Sequence, residues 1–125
     1  MKKVMVIGSN SFSGSDFIDL LLEKEEYKVI GISRSKEKSP LFLPYKRQSS
    51  PHFSFVQIDL NQDIEKLNTL LDTFQPEYVV NFAAQSEVAP SWVSPHHWFQ
   101  TNAVALTTLA NLLKDKPFLK KYVHI

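Results

Sequence analysis

Five short apolar runs punctuate the chain, and three of the stretches between them carry helical spacing. Val4-Met5-Val6-Ile7 is β-branched, closed by a glycine, and reads as a strand buried on both faces. A seven-residue loop, Gly8 to Gly14, follows, and then Phe17, Ile18, Leu20, Leu21 and Leu22 recur at helical spacing among acidic and basic residues. Lys28-Val29-Ile30-Gly31-Ile32 is the second predicted strand, so the opening unit is strand, tight loop, helix, strand. Phe53 to Ile58 forms the third strand, and Ile64, Leu67, Leu70, Leu71 and Phe74 mark a helix that Gln75-Pro76 stops. Tyr78 to Phe82 is the fourth strand. A loop, Ala83 to Ser94, leads to Pro95 at a helix start. One long helix is expected from His96 to Lys114, with Phe99, Ala103, Leu106, Leu109, Ala110 and Leu113 on its apolar stripe. Tyr122 to Ile125 is the fifth strand.

Strands alternating with helices imply a parallel sheet covered on both faces. Right-handed crossovers then favour a Rossmann-type, doubly wound α/β arrangement with strand order 3-2-1-4-5, in one domain over residues 1–125. Residues 34–52 stand apart. They lack periodicity and hold three prolines and five basic residues against one acid. The segment reads as a solvated loop. A loop of this length in a compact domain is often functional, so a ligand or subunit contact stays open.

Composition narrows the chemistry. The chain of 125 residues is 43% hydrophobic and 22% charged, as in an ordinary globular domain. A net charge of +1 gives no field toward nucleic acid or an anionic membrane, and neither partner is expected. Cysteine is absent, which removes disulfides, thiolate catalysis and Cys-ligated metal. No segment reaches the roughly 18–20 apolar residues of a membrane span, and the run after Met1-Lys2-Lys3 is too short for a signal peptide. A cytoplasmic protein with a mature N-terminus is expected. His96-His97 point to different helix faces and have no third ligand at metal spacing, so no metal site is expected.

The three glycines carry the most information, because two of them, Gly8 and Gly14, fall in one loop between a strand and a helix. A dinucleotide site needs a tight turn there, a residue without a side chain where helix meets sheet, and backbone N–H groups aimed at a pyrophosphate. Ser9, Asn10, Ser11 and Ser13 add donors, and a substitution such as Gly14→Val is expected to abolish cofactor binding by blocking the diphosphate while the chain still folds. No lysine follows Gly14, so the loop is not a P-loop. At the tip of the second strand, Ser33-Arg34-Ser35-Lys36 has no acid for a ribose hydroxyl, and Ser33 and Arg34 could take a 2′-phosphate. NADP is favoured, with NAD possible.

The run Gly8-Ser9-Asn10-Ser11-Phe12-Ser13-Gly14, then Asp59-Leu60, then Asn81-Phe82-Ala83-Ala84-Gln85-Ser86, then Asn102, resembles the extended short-chain dehydrogenase/reductase family of NAD(P)-dependent sugar-nucleotide epimerases and dehydratases. The likeness is to the GDP-mannose 4,6-dehydratase type most closely and covers essentially the whole chain. It implies that Gly8, Ser11 and Gly14 form the pyrophosphate loop with Phe12 beside it. Asp59 would bond the adenine amine and Leu60 would pack on the adenine ring. Ala83 and Ala84, with Gln85, would border the cofactor, Ser86 would face nicotinamide and sugar, and Asn102 would brace the loops. The family's loop usually has glycine where this chain has Ser11, and NAD-using members carry Asp where it has Ser33.

The resemblance also implies catalysis by a Ser/Thr after the fifth strand and by a Tyr-x-x-x-Lys pair. No tyrosine here has a lysine four residues on, so no catalytic residue is expected within the chain. The expectation is the N-terminal, NAD(P)-binding part of such an enzyme, inactive alone. The intact enzyme would be a homodimer or tetramer acting on a nucleotide sugar. It would be a 4,6-dehydratase first and a 4-epimerase second; a non-catalytic NAD(P)-binding module is the other reading. Trp92, Trp98 and Phe99 read as core or subunit contact.

Overall fold

A computed structural model describes residues 1–83 and 92–125. Its five strands are β1 (Lys2–Ile7), β2 (Tyr27–Ser33), β3 (Phe53–Gln57), β4 (Tyr78–Asn81) and β5 (Lys121–His124). They pair in parallel in the order β3-β2-β1-β4-β5, the order expected from the alternation of elements. The helices are α1 (Phe12–Glu23), α2 (Ile64–Phe74), α3 (Pro95–Phe99) and α4 (Ala105–Leu113).

Alternation within β1 divides the core. Val4 and Val6 face one layer with Ile18, Leu21 and Leu22 of α1, whereas Met5 and Ile7 face the other with Leu67 and Leu71 of α2 and Leu109 and Leu113 of α4. Each such side chain contributes about 1.5–3 kcal/mol when fully buried. Both faces of β1 are therefore shut off from water, which is why its sequence is a continuous apolar run.

Register fixes where function can sit. Ile7 pairs with Ile32, and Ile32 with Val56, on one side; on the other, Ile7 pairs with Asn81, and Asn81 with His124. The five strands thus end in one row. The segments leaving β1, β2, β3 and β4 emerge along one edge, at the point where the strand order reverses.

Two elements differ from expectation. The long helix is interrupted by a π-helical turn, Gln100–Val104. The wider turn shifts the phase of everything after it. Ala105, Leu109 and Leu113 form the buried stripe, and Ala103 and Ala110 face solvent. Phe99 is 64% exposed and Trp92 84% exposed, so neither is core. The second difference is the segment after β2, which is largely exposed, as expected of a solvated loop, but is not without structure. It forms 3-10 turns at Pro40–Phe42 and Pro44–Arg47 and buries Leu43 and Tyr45 against α1. Short 3-10 turns have neither helical nor strand period, so their apolar residues leave no readable pattern.

Candidate functional site

The turn between β1 and α1 is a closed hydrogen-bond unit. Gly8 and Ser9 donate their N–H groups to the Ile32 carbonyl, at 2.7 and 3.1 Å. Gly8 has φ +87°, and a Cβ there would stand 2.8 Å from the Ala83 nitrogen, so only glycine fits. The Ser11 hydroxyl donates to the Gly8 carbonyl at 2.6 Å and accepts from the Gly14 N–H at 3.0 Å, capping α1. Ser11 has φ −72° and needs no glycine, which accounts for the departure from the family's usual residue. Gly14 serves the turn itself: a Cβ there would lie 2.2 Å from the Gly8 carbonyl oxygen. A side chain at Gly14 would therefore deform the loop before it could obstruct a ligand. The third glycine, Gly31 in β2, makes room for Ser9, whose Cβ would be 2.8 Å from a Gly31 Cβ. All three glycines shape this turn, and the role of Gly31 is legible only once β1 and β2 are paired.

The side chains of Ser9, Asn10 and Ser11 are committed to protein partners. Ser9 is fully buried, with its Oγ 3.4 Å from that of Ser33. The Asn10 N–H donates to Ser33 Oγ at 3.0 Å, and its side-chain amide is bonded to the segment after β2. Phe12 and Ser13 differ. Among the described residues no protein group accepts from their N–H groups, which open α1 as its first two helical amides. The helix dipole adds partial positive charge at the same place.

Three further strand exits complete a cleft of about 340 Å³ lined by Gly8, Asn10, Ser11, Ser33, Arg34, Asp59, Leu60 and Ala83, among others. Tertiary structure thus brings together eight of the residues expected from sequence. Asp59 is held by its own turn: its N–H donates to Asp63 Oδ2 and its Oδ1 accepts from the Asn61 N–H, both at 2.9 Å. Ala83 donates its N–H to Asn81 Oδ1 at 2.8 Å, while Asn81 Nδ2 donates to the Tyr122 hydroxyl at 3.0 Å. This ties the exit of β4 to β5. Burial raises the Tyr122 phenol above its usual pKa, and the hydrogen bond from Asn81 opposes that.

Other expected residues lie elsewhere. Phe12 is 86% exposed and lines a separate groove with Leu41 and Phe42. Ser13 is exposed and Gly14 buried beneath the turn. Asn102 is half-buried in the π-helical turn, off the cleft wall. Ala84, Gln85 and Ser86 lie outside the described residues. Ser35 and Lys38 line the cleft although the sequence did not single them out as site residues. The basic character of residues 34–52 was the available signal, but it did not say which cation turns inward.

The family model described as GDP-mannose 4,6 dehydratase matches residues 5–124. The GDP-mannose 4,6-dehydratase of Yersinia enterocolitica is 33% identical over 119 residues, covering 91% of this chain and 32% of that protein. The UDP-glucose 4-epimerase of Thermotoga maritima, solved with UDP-glucose, superposes with TM-score 0.80 at 25% identity over 98% of this chain and 37% of that one. The dTDP-glucose 4,6-dehydratase of Bacillus anthracis, solved in complex with NAD, gives TM-score 0.77 at 25% identity over 99% of this chain and 37% of that one. The chain spans about a third of the length of the curated relatives it matches. It belongs to the GDP-mannose 4,6-dehydratase family, within the extended short-chain dehydrogenase/reductase group of sugar-nucleotide dehydratases and epimerases.

Proposed function

We propose that this chain is the dinucleotide-binding portion of a sugar-nucleotide 4,6-dehydratase. The observation that carries the reading is that, among the described residues, nothing accepts from the N–H groups of Phe12 and Ser13 at the start of α1, directly after Ser11 of the cleft wall where the strand order reverses. Uncommitted amides at a helix N-terminus, next to a glycine turn, suit a diphosphate in chemistry and position. The relatives solved with NAD support a nicotinamide dinucleotide.

In this reading Gly8 and Gly14 keep the turn tight, Ser11 holds it closed, and the α1 amides bind the diphosphate. Asp59 accepts from the adenine amine, Leu60 packs on the adenine ring, and Ala83 leaves room along the strand ends. Ser33 and Arg34, at the exit of β2, favour NADP over NAD. Ala84, Gln85 and Ser86 continue the wall toward the nicotinamide and sugar, and Asn102 braces that end. The whole enzyme would oxidise C4 of the sugar and eliminate water across C5–C6. The bound dinucleotide supplies the hydride acceptor and donor. The nucleotide sugar and the remaining catalytic groups belong to the intact, homo-oligomeric protein. A 4-epimerase is the second reading, favoured by the likeness to the Thermotoga enzyme.

Parallel fluorescence titrations of the chain with NADPH and NADH test the reading. Saturable binding of at least one cofactor is expected. Absence of binding by a folded chain overturns it. Product analysis with the whole protein separates dehydratase from epimerase.

A further inference from the structure

The cleft wall at the exit of β2 is shaped by one buried side chain. Asn10, 7% exposed, donates from Nδ2 to the Lys36 carbonyl at 2.8 Å and to Ser35 Oγ at 3.2 Å, and accepts at Oδ1 from the Lys38 N–H at 3.2 Å. Residues 35–38 are thereby wrapped around a single amide group. Asparagine suits the place because the site demands both donor and acceptor. An aspartate would face the Lys36 carbonyl with no proton to give.

The wrap sorts the charges. Arg34, Ser35 and Lys38 line the cleft. Glu37, the one acid among residues 34–52, does not. It accepts from the Tyr45 hydroxyl at 2.8 Å and pairs with Lys46 at 2.7 Å. Among the described residues neither Arg34 nor Lys38 takes part in an ion pair. Ser33 is 8% exposed and its hydroxyl already accepts from the Asn10 N–H. Among the described residues the one carboxylate on the cleft wall is Asp59, at the exit of β3, with an oxygen bonded to its own turn. Among the described residues the β2 exit thus offers two cations outside any ion pair and a hydroxyl, and no carboxylate to accept from a ribose 2′-hydroxyl.

We propose that Lys38 is a specificity-determining residue for a 2′-phosphorylated dinucleotide, and that Asn10 is the positioning residue that presents it. The proposal rests on the dinucleotide reading above and extends it beyond Ser33 and Arg34. An ammonium with three rotatable donors on a flexible stem suits a phosphate, and the Arg34 guanidinium lines the same cleft.

The test is the ratio of NADPH to NADH affinity in the full chain, with 2′,5′-ADP and 5′-ADP as competing probes. The wild-type chain is expected to prefer the 2′-phosphorylated member of each pair. Lys38→Ala should cut that ratio about tenfold, the worth of one charge-assisted hydrogen bond, and added salt should shrink the wild-type preference as well. Lys38→Arg should restore most of the ratio, because charge rather than shape is at stake. Asn10→Asp should lower the ratio without removing either cation, and its unfolding curve reports whether the fold is kept. An NADH preference in the wild type, or a ratio unmoved by Lys38→Ala, overturns the proposal while leaving the dinucleotide reading intact. Failure to bind either cofactor overturns both.

Discussion

The turn from β1 to α1 and the segment that follows β2 border the same cleft, yet they are held by opposite means. The first is fixed by main chain and by missing side chains. Gly8, Gly14 and Gly31 each stand where a Cβ would collide, and the Ser11 hydroxyl closes the remaining gap. The second is fixed by polar side chains reaching across the fold. Asn10 holds residues 35–38, Tyr45 holds Glu37, and Asp19 of α1 receives both Arg47 and Gln48. A loop built on steric exclusion has little freedom to vary and suits a diphosphate common to every dinucleotide. A loop built on replaceable ties can change its contacts one at a time, which suits a part of the ligand that differs between cofactors.

Substitutions in each region should separate the two. The largest effect is expected from Gly14→Val. Its Cβ would meet the Gly8 oxygen at 2.2 Å, so the turn must open or the helix must shift. Overpacking of this severity costs about 3 kcal/mol or more, and urea unfolding should show it together with loss of any cofactor binding. A stable Gly14→Val chain would show that the turn tolerates what its geometry forbids.

In the second region, Asp19→Ala leaves the Gln48 and Arg47 donors without their shared carboxylate. A loss of about 1–3 kcal/mol is expected by urea unfolding, with faster amide exchange confined to the 3-10 segment. Tyr45→Phe should cost about 1 kcal/mol at neutral pH by removing the bond to Glu37. Its clearer signature is in alkali. Burial, then the hydrogen bond and charge of Glu37, push the Tyr45 phenol well above its ordinary pKa. Below about pH 10 the phenol is protonated in both the folded and the unfolded chain, so its contribution is fully present. Above that pH the unfolded chain ionises first, and stability falls. Urea midpoints between about pH 9 and 11 should therefore decline in the wild type and decline less in Tyr45→Phe. Tyr122, shifted the same way by burial, supplies part of the residual slope.

The smallest effect is expected at Ser11. Its extended backbone accepts glycine without strain, so Ser11→Gly should cost only about a few tenths of a kcal/mol in thermal or urea unfolding. A much larger loss would mean that the hydroxyl bridge between Gly8 and Gly14, and not the glycines, holds the turn.

Much of this was written in the one-dimensional pattern. Strand order followed from alternation of elements, and the stripe Ile64, Leu67, Leu70, Leu71, Phe74 faces the core as its spacing required. Gly8 and Gly14 marked the turn, and Asp59-Leu60 and Ala83 reached the cleft because strand ends in a parallel sheet share a row. The phase of α4 was not legible, because a π-helical turn changes register without changing composition. Leu43 and Tyr45 were hidden for a related reason, since 3-10 turns bury residues at no fixed period.

What the sequence determined alone is the local and repetitive part: which runs become strands, which faces turn inward, and where a chain without a side chain must bend. Those depend on near neighbours along the chain, whose spacing is fixed by covalent geometry. Only the tertiary structure decided which polar groups are already engaged and which cations look into the cleft. Hydrogen bonds from Asn10 to residues 35–38 span separations of 25 to 28 positions, and the closeness that makes them arises only when β1 and β2 pair.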